Sequence, residues 1–462
     1  MKAIDMTSGS PTKKMLLFSF PILLGNLFQQ IYSLSDTLVV GRFLGKEALA
    51  AVGSSSAIVV LINSIIIGLC MGASVLFAEY FASKNNDKFA KAISTSSIFI
   101  AGLSLVVSLL MIIFINPLLV LFQIPEEAFS LARDYLYIVL SGLVFLSLYN
   151  LSAAILRAKG DSKTPLIFFI ISTTINVAFD FIFVLFTPLG VMGPALSTLV
   201  AQIASGLPLF IYMLHKMKYL NIKPIFDQPV FKKVLSYSVL TSLQQSIMNF
   251  GILLIQGLVN SFGVIAIAAF AIGVRIDAFA YMPAQDFANG FAIYVSQNRG
   301  AKQYERIRKG FKRAIVVSSI FCGVITLLMM VFAPSFIRLF APEDIEVITL
   351  GSDYLRIEGL FYVLIGYLFL FYALNRGLGK FKTSIILTIT SLGTRVLFSY
   401  GAVALGFGIN AIWWSIPLGW ALADILGIYL YRHVKKDNFK QIRDKANVDQ
   451  PLTPFIEVTE AI

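Results

Sequence analysis

Several acidic residues of this chain stand inside long apolar runs, where an ionisable side chain costs ~2.5–3.5 kcal/mol on insertion scales and therefore needs a reason. Asn176 and Asp180 are one helical turn apart, so a helix presents both on one face. Gln29, Ser33 and Asp36 share a face by steps of four and three. Thr198 falls in the first turns of the run that follows Asp180. Counted along their runs, Asp36, Asn176, Asp180 and Thr198 lie at a similar depth in the outer half of the chain's first lobe. Two carboxylates, an amide and a hydroxyl form an oxygen-rich set that can hold a proton or a small hard cation such as sodium, the latter at Asp36 and Asp180. Burial and a neighbouring like charge both favour the protonated carboxyl. The plainer reading is a buried polar network that only ties helices together.

The second half carries Arg275, Asp277, Asp286, Glu358, Arg395 and Asp424 in its apolar runs. Arg275 and Arg395 are expected to be structural ion-pair partners of nearby acids. Asp277, Asp286 and Glu358, with Gln29, are candidates to attract a cationic substrate. Pro21 sits inside the first run, where it removes a backbone hydrogen bond and permits a bend. The two histidines, His215 and His433, form no HExxH pair, no phosphate-binding GxxxxGK[ST] loop occurs, and Cys70 and Cys322 form no CxxC motif. No catalytic constellation, cofactor or further metal site is expected, so uphill work would draw on an ion gradient of protons or sodium.

The elements that position these residues follow from composition. Of 462 residues, 57% are hydrophobic, only 13% are charged, and mean hydropathy is +0.81, which excludes an ordinary soluble domain. A span needs ~20 apolar residues. Runs near 15–40, 48–81, 92–116, 128–156, 165–186 and 194–217 predict six helices, and runs near 234–262, 264–296, 314–332, 348–374, 384–407 and 410–431 predict six more. The expected fold is an all-α integral membrane protein of twelve transmembrane helices in two pseudo-symmetric six-helix bundles. Its divisions are a tail (1–14), a first lobe (15–217), a linker (218–233), a second lobe (234–431) and a C-terminal tail (432–462), the last read as solvated.

Thirty of the 37 Lys and Arg fall in loops on one side of this topology and three on the other. That asymmetry predicts both termini in the cytoplasm of a multi-pass plasma-membrane protein. It also accounts for the net charge of +12 without a nucleic-acid partner. The lipid bilayer is the expected surrounding and a monomer the expected state.

The halves repeat at an offset of 218 to 219 residues. Gly45–Ala51 matches Gly263–Ala269, Gly72 matches Gly290, and Lys84 matches Lys302. Asp134-Tyr135-Leu136 matches Asp353-Tyr354-Leu355, and Arg157-x-x-Gly160-x-x-x-Thr164 matches Arg376-x-x-Gly379-x-x-x-Thr383. Six spans per repeat make the repeats parallel, with a cleft between lobes that rocking would open to alternate sides. Gly68-x-x-x-Gly72 predicts close helix packing.

From about Pro11 to Tyr431 the chain resembles the multidrug and toxic compound extrusion family of secondary exporters. The likeness rests on the two six-span lobes, the Gly45–Ala51 segment and the Gln297-Asn298-Arg299-Gly300-Ala301 loop. Pro21, Asp36, Asn176, Asp180 and Thr198 look like the first-lobe cation site of its DNA-damage-inducible and related prokaryotic branch. The resemblance implies proton- or sodium-coupled antiport of lipophilic, often cationic drug-like compounds, and a first helix that bends at the proline. The sodium-coupled branch has an acid on its seventh span, and 234–262 has none, which moves the expected ion site to the first lobe. The alternative is a flippase or exporter of a lipid-linked or endogenous metabolite.

Overall fold

A computed structural model describes residues 3–122 and 124–446, with the side chains of 31–35, 37, 46 and 433–446 set aside. The side chain of Ser33 and the tail beyond Ala446 therefore lie outside the described residues. In the first half, α1 (Pro11–Phe43), α2 (Gly45–Ala82) and α3 (Asn86–Ile113) are followed by a short α4 (Ile115–Leu121). Then come α5 (Glu126–Ser141), α6 (Leu143–Ala158), α7 (Lys163–Phe186) and α8 (Met192–Lys216). The second half repeats the pattern with α9 (Gln228–Asn260), α10 (Val264–Gly300), α11 (Tyr304–Arg338), α12 (Ile345–Leu360), α13 (Tyr362–Gly377), α14 (Phe381–Ala404) and α15 (Asn410–Ala446). Among the described residues nine helices are each long and apolar enough to cross a membrane. The bent pairs α5–α6 and α12–α13 add two spans, and the 33-residue α1 completes twelve.

Three features depart from the hydropathy reading. The fourth and tenth spans are broken, with bends of 42° at Gly142 and 54° at Phe361. Those breaks fall at equivalent places in the repeat. The ninth span begins at Tyr304 rather than near 314, because Ile307, Gly310 and Phe311 are buried on one side of a turn whose other side is basic. Charge marks an end to hydropathy, but an amphipathic helix runs through it. The last helix likewise runs to Ala446, past the expected end at 431.

The backbone carries the repeat more sharply than the side chains do. Gly45 and Gly263 have φ of 86° and 91°, and Gly160 and Gly379 have φ of 90° and 72°. Lys84 and Lys302 share φ of 56° and 57°, an uncommon conformation for a residue with a Cβ. Loop shape is thus duplicated at the positions where the loop residues match.

Small residues bring the lobes together. A Cβ at Gly68 would meet Ser242 at 2.5 Å, and one at Gly72 would overlap the Tyr237 carbonyl. With no Cβ in the way, Ser242 Oγ donates to the Ile65 carbonyl at 2.7 Å and Ser238 Oγ to the Leu69 carbonyl at 2.8 Å. The predicted close packing is therefore that of α2 on α9, across the lobes. At the lysine- and arginine-rich end, the segment before α1 is threaded between them. Ile4 N–H donates to the Gly160 carbonyl at 2.9 Å, and Met6 N–H donates to Gln297 Oε1 at 3.1 Å. Arg306 donates to the Met6 and Ser8 carbonyls at 3.1 and 2.7 Å, and Gln297 Nε2 to the Ala158 carbonyl at 2.6 Å. These bonds close the cleft on the basic side. Toward the opposite end α10 exposes Val264 (82%) and Arg275.

The linker rests on α3, where Ile225 and Asp227 N–H groups donate to Ser94 Oγ and Thr95 Oγ1 at 2.9 and 3.1 Å. In the α6–α7 loop Asp161 caps α7, accepting from the Thr164 N–H at 3.0 Å and from Lys216 Nζ at 2.6 Å. Burial pushes the Asp161 carboxyl up, but the Lys216 and Thr164 hydrogen bonds more than offset it and hold it below the ordinary carboxylate value.

Candidate functional site

The first-lobe residues meet. Asp36 arrives on α1, Asn176 and Asp180 on α7, and Thr198 on α8. Asn176 and Asp180 are 1% and 0% exposed and Asp36 is 8% exposed, so the set lies inside the lobe rather than at its lipid face. With its amide oriented to satisfy both neighbours, Asn176 donates to Asp180 Oδ2 at 3.2 Å and accepts from the Thr198 N–H at 3.2 Å. Asp36 is close enough to Asp180 for its charge to act on it, and Ser197 stands beside Asp180. One oxygen of each carboxylate, Asp36 Oδ1 and Asp180 Oδ1, is buried with no hydrogen-bond partner among the described residues. A buried carboxylate oxygen without a donor is costly unless it binds a proton or a cation. The donor set is all oxygen, which fits either a proton or sodium. Among the described residues no group of three or more His, Cys, Asp or Glu side chains forms a metal cage. Ser197 was not singled out in the sequence, although it immediately precedes Thr198.

Pro21 is buried inside a continuous α1, on the same helix as Asp36. In an α-helix it leaves one carbonyl without its usual donor, the local condition for bending.

The four candidate substrate residues do not form one site. Gln29 and Asp286 line a cavity of ≈ 200 Å³ between the lobes. Asp286 is 2% exposed and accepts from Asn26 Nδ2 at 2.6 Å. Asp277 and Glu358 instead line a cavity of ≈ 250 Å³ within the second lobe, together with Arg395 and Tyr281. There Asp277 accepts from Tyr362 Oη at 2.6 Å, and Glu358 stands beside Asp277 and Tyr354. Arg395 acts on both acids through its charge, but it forms no ion pair within 4.0 Å among the described residues, and its Nε has no partner. The two acids share one another and two phenols, with the guanidinium as a diffuse counter-charge.

Arg275 corrects the sequence reading. It is exposed and makes no ion pair among the described residues. Two residues along a helix are about 200° apart in azimuth, so Arg275 and Asp277 point away from each other despite their equal depth. Arg275 shares its face with Met282, which takes the amide of Gln30 on α1 at 3.4 Å, so the residue looks toward the other lobe.

The sequence also assigned Arg157 and Arg376 to basic loops. Both line the 200 Å³ cavity between the lobes. Asp424 on α15 is 5% exposed, with neither carboxylate oxygen partnered among the described residues.

Twelve spans in two parallel-repeat lobes, with buried acids at mid-helix and a polar cavity where the lobes meet, define a polytopic membrane transporter. The MatE family model matches residues 21–182 and 239–401, and the chain belongs to that family. It is 31% identical over 418 residues to the probable multidrug resistance protein YpnP of Bacillus subtilis (strain 168), covering 89% of this chain and 94% of that protein. It is 27% identical over 436 residues to the probable multidrug resistance protein YoeA of the same organism, covering 92% and 94%. The FAD transporter of Shewanella oneidensis is 25% identical over 447 residues, covering 92% and 95%. A solved MOP superfamily transporter from Pyrococcus furiosus superposes with a TM-score of 0.87 at 24% identity, covering 95% of this chain and 99% of that one. These relatives are transporters, and the chain is not an enzyme.

Proposed function

We propose that the protein is a secondary exporter that couples entry of a proton or sodium ion to extrusion of lipophilic, often cationic drug-like compounds by alternating access. The observation that carries this reading is the pair of buried oxygens on Asp36 and Asp180 that are unpartnered among the described residues, with Asp180 held by Asn176, which in turn accepts from the Thr198 N–H. An ion that binds there neutralises a carboxylate inside the lobe. A ligand shifts two states only by its differential affinity for them, so ion and drug must favour different states or compete. Entry of one positive charge down the membrane potential contributes ~2.3 kcal/mol per 100 mV. The names of YpnP and YoeA, multidrug resistance proteins, support the substrate class. The chain is placed in a prokaryotic plasma membrane with both termini in the cytoplasm, a reading supported by its skewed loop charges, and is proposed to act as a monomer.

A second reading, export of an endogenous metabolite or lipid-linked precursor, draws on the name of one relative, FAD transporter. Efflux of rhodamine 123 from proteoliposomes under an imposed pH or sodium gradient tests the first reading. Wild type should move the dye uphill under one of the two gradients, and Asp36→Asn should fold but fail to do so. Gradient-driven export by Asp36→Asn at the wild-type rate sinks the coupling model.

A further inference from the structure

The floor of the cavity between the lobes holds two arginines and one acid. Arg157 comes from the end of α6 and Arg376 from the end of α13, at equivalent positions of the repeat, so the guanidinium groups converge from opposite lobes. Arg376 is 5% exposed. Its Nη2 donates to Asn289 Oδ1 at 2.8 Å and its Nη1 to the Met71 thioether at 3.2 Å. Both partners are neutral, and neither cancels the charge. The Nε atoms of Arg376 and Arg157 are buried without a hydrogen-bond partner among the described residues. Asp286, the acid of this floor, gives one oxygen to Asn26 at 2.6 Å. No ion pair within 4.0 Å joins Asp286 to either arginine among the described residues. Two guanidinium groups thus face one carboxylate, on which Arg157 acts only through its charge at a distance, so positive charge is in excess here and no direct ion pair forms among the described residues.

A buried charge in excess of its counter-charges is costly. Guanidinium N–H groups left without acceptors call for an oxyanion, which a planar fork receives in two parallel hydrogen bonds. The cavity, at ≈ 200 Å³, is smaller than the ~300–1,000 Å³ of pockets that enclose a drug-sized ligand. It suits a headgroup. We infer that Arg157 and Arg376 form a subsite for an anionic oxygen group, carboxylate or phosphate, so that the preferred substrates are amphiphiles carrying such a group rather than simple lipophilic cations. This rests on the transporter reading above and shifts its substrate class from cationic toward acid-bearing amphiphiles. A group held by both arginines bridges the lobes, and so ties its own binding to their closure on the basic side.

Matched dyes test the inference on purified full-length transporter in nanodiscs, by fluorescence polarisation. Rhodamine 110 carries a free carboxylate that rhodamine 123 masks as a methyl ester. Riboflavin 5′-phosphate and riboflavin form the corresponding phosphate pair. Charge-assisted hydrogen bonds predict a preference of about tenfold or more for the acid member of at least one pair, and the pair that shows it identifies carboxylate or phosphate as the source. Arg157→Gln with Arg376→Gln should reduce that preference to within about twofold, while the double lysine variant keeps part of it. Arg157→Gln alone, at a half-buried site, gives the same direction if the double variant unfolds. Equal affinities within both pairs, or a preference that survives both glutamine changes, overturn the subsite. Export of rhodamine 123 with no acid preference overturns the subsite and leaves the transporter reading standing. Failure of every dye to bind or move overturns both.

Discussion

The two lobes share one backbone and differ in what they bury at the same place. Taking the repeat offset that aligns Gly160 with Gly379, Asp180 falls on Ser399 and Asn176 on Arg395. Ser197 falls on Ser415 at the neighbouring offset of 218. In the first lobe these positions hold a carboxylate with an unpartnered oxygen, close to a second carboxylate on α1. In the second lobe Ser399 and Ser415, each 0% exposed, satisfy one another at 2.7 Å. The acids of the second lobe, Asp277 and Glu358, lie on other helices, where phenols and a guanidinium compensate them. The duplicated scaffold thus buries carboxylates with unpartnered oxygens, among the described residues, in one copy and a neutral hydroxyl pair in the other. Under the proposed function, this asymmetry is what confines ion coupling to the first lobe.

The largest expected effect breaks the charged side of this comparison. Asp180→Asn should bring gradient-driven efflux to the unenergised baseline while thermal stability stays at or above that of wild type, since a costly buried acid is removed. Efflux in proteoliposomes and a melting curve check both halves. The neutral side can be broken in turn by Ser399→Asp, which buries a carboxylate beside Ser415. It should destabilise the protein by about 2.5–3.5 kcal/mol, read as a fall in melting temperature, and should create no second coupled ion.

A smaller effect is expected where compensation is partial. Glu358→Gln leaves Arg395 with Asp277 as its only neighbouring acid in this cluster and should cost about 1–3 kcal/mol, measured by chemical denaturation in detergent. The smallest concerns the loop rather than the lobes. Asp161→Asn removes the negative charge that faces Lys216, whose side chain is 27% exposed, and should cost about 1–2 kcal/mol after allowance for solvent screening. The folded Asp161 carboxyl titrates below its ordinary value, so its contribution is complete above pH ~4 and is lost as pH falls through the lowered value. The stability difference between wild type and Asp161→Asn should therefore shrink on acidification below about pH 4. A difference that grew there would reverse the sign of the argument.

The first-lobe cluster was legible because each of its parts is a local pattern on an unbroken helix. Asn176 and Asp180 need only a helical period to share a face, and depth follows from counting along the run. The fold was legible for the same reason, since runs of apolar residues and repeated loop motifs are read without tertiary information. What depended on azimuth or bending was not. Arg275 and Asp277 are neighbours in depth and opposite in direction, so counting paired what the helix separates. Arg157 and Arg376 close their apolar runs and therefore read as loop charges. Both belong to the second halves of broken spans, whose bends of 42° and 54° leave no mark in hydropathy, and they end up at the floor of the cavity. Ser399 and Ser415 carry no charge to draw notice, and their meaning appears only when the lobes are compared.

The proposed coupling requires that the ion bind in the first lobe and that drug binding lower its affinity there, by competition or by a change of state. Release of protons into weakly buffered solution, or of bound radioactive sodium, can be measured when rhodamine 123 is added to purified transporter. Wild type and Ser399→Ala should release the ion on dye binding, and Asp180→Asn should bind dye without releasing any. Undiminished release by Asp180→Asn, or its loss in Ser399→Ala, would contradict the account.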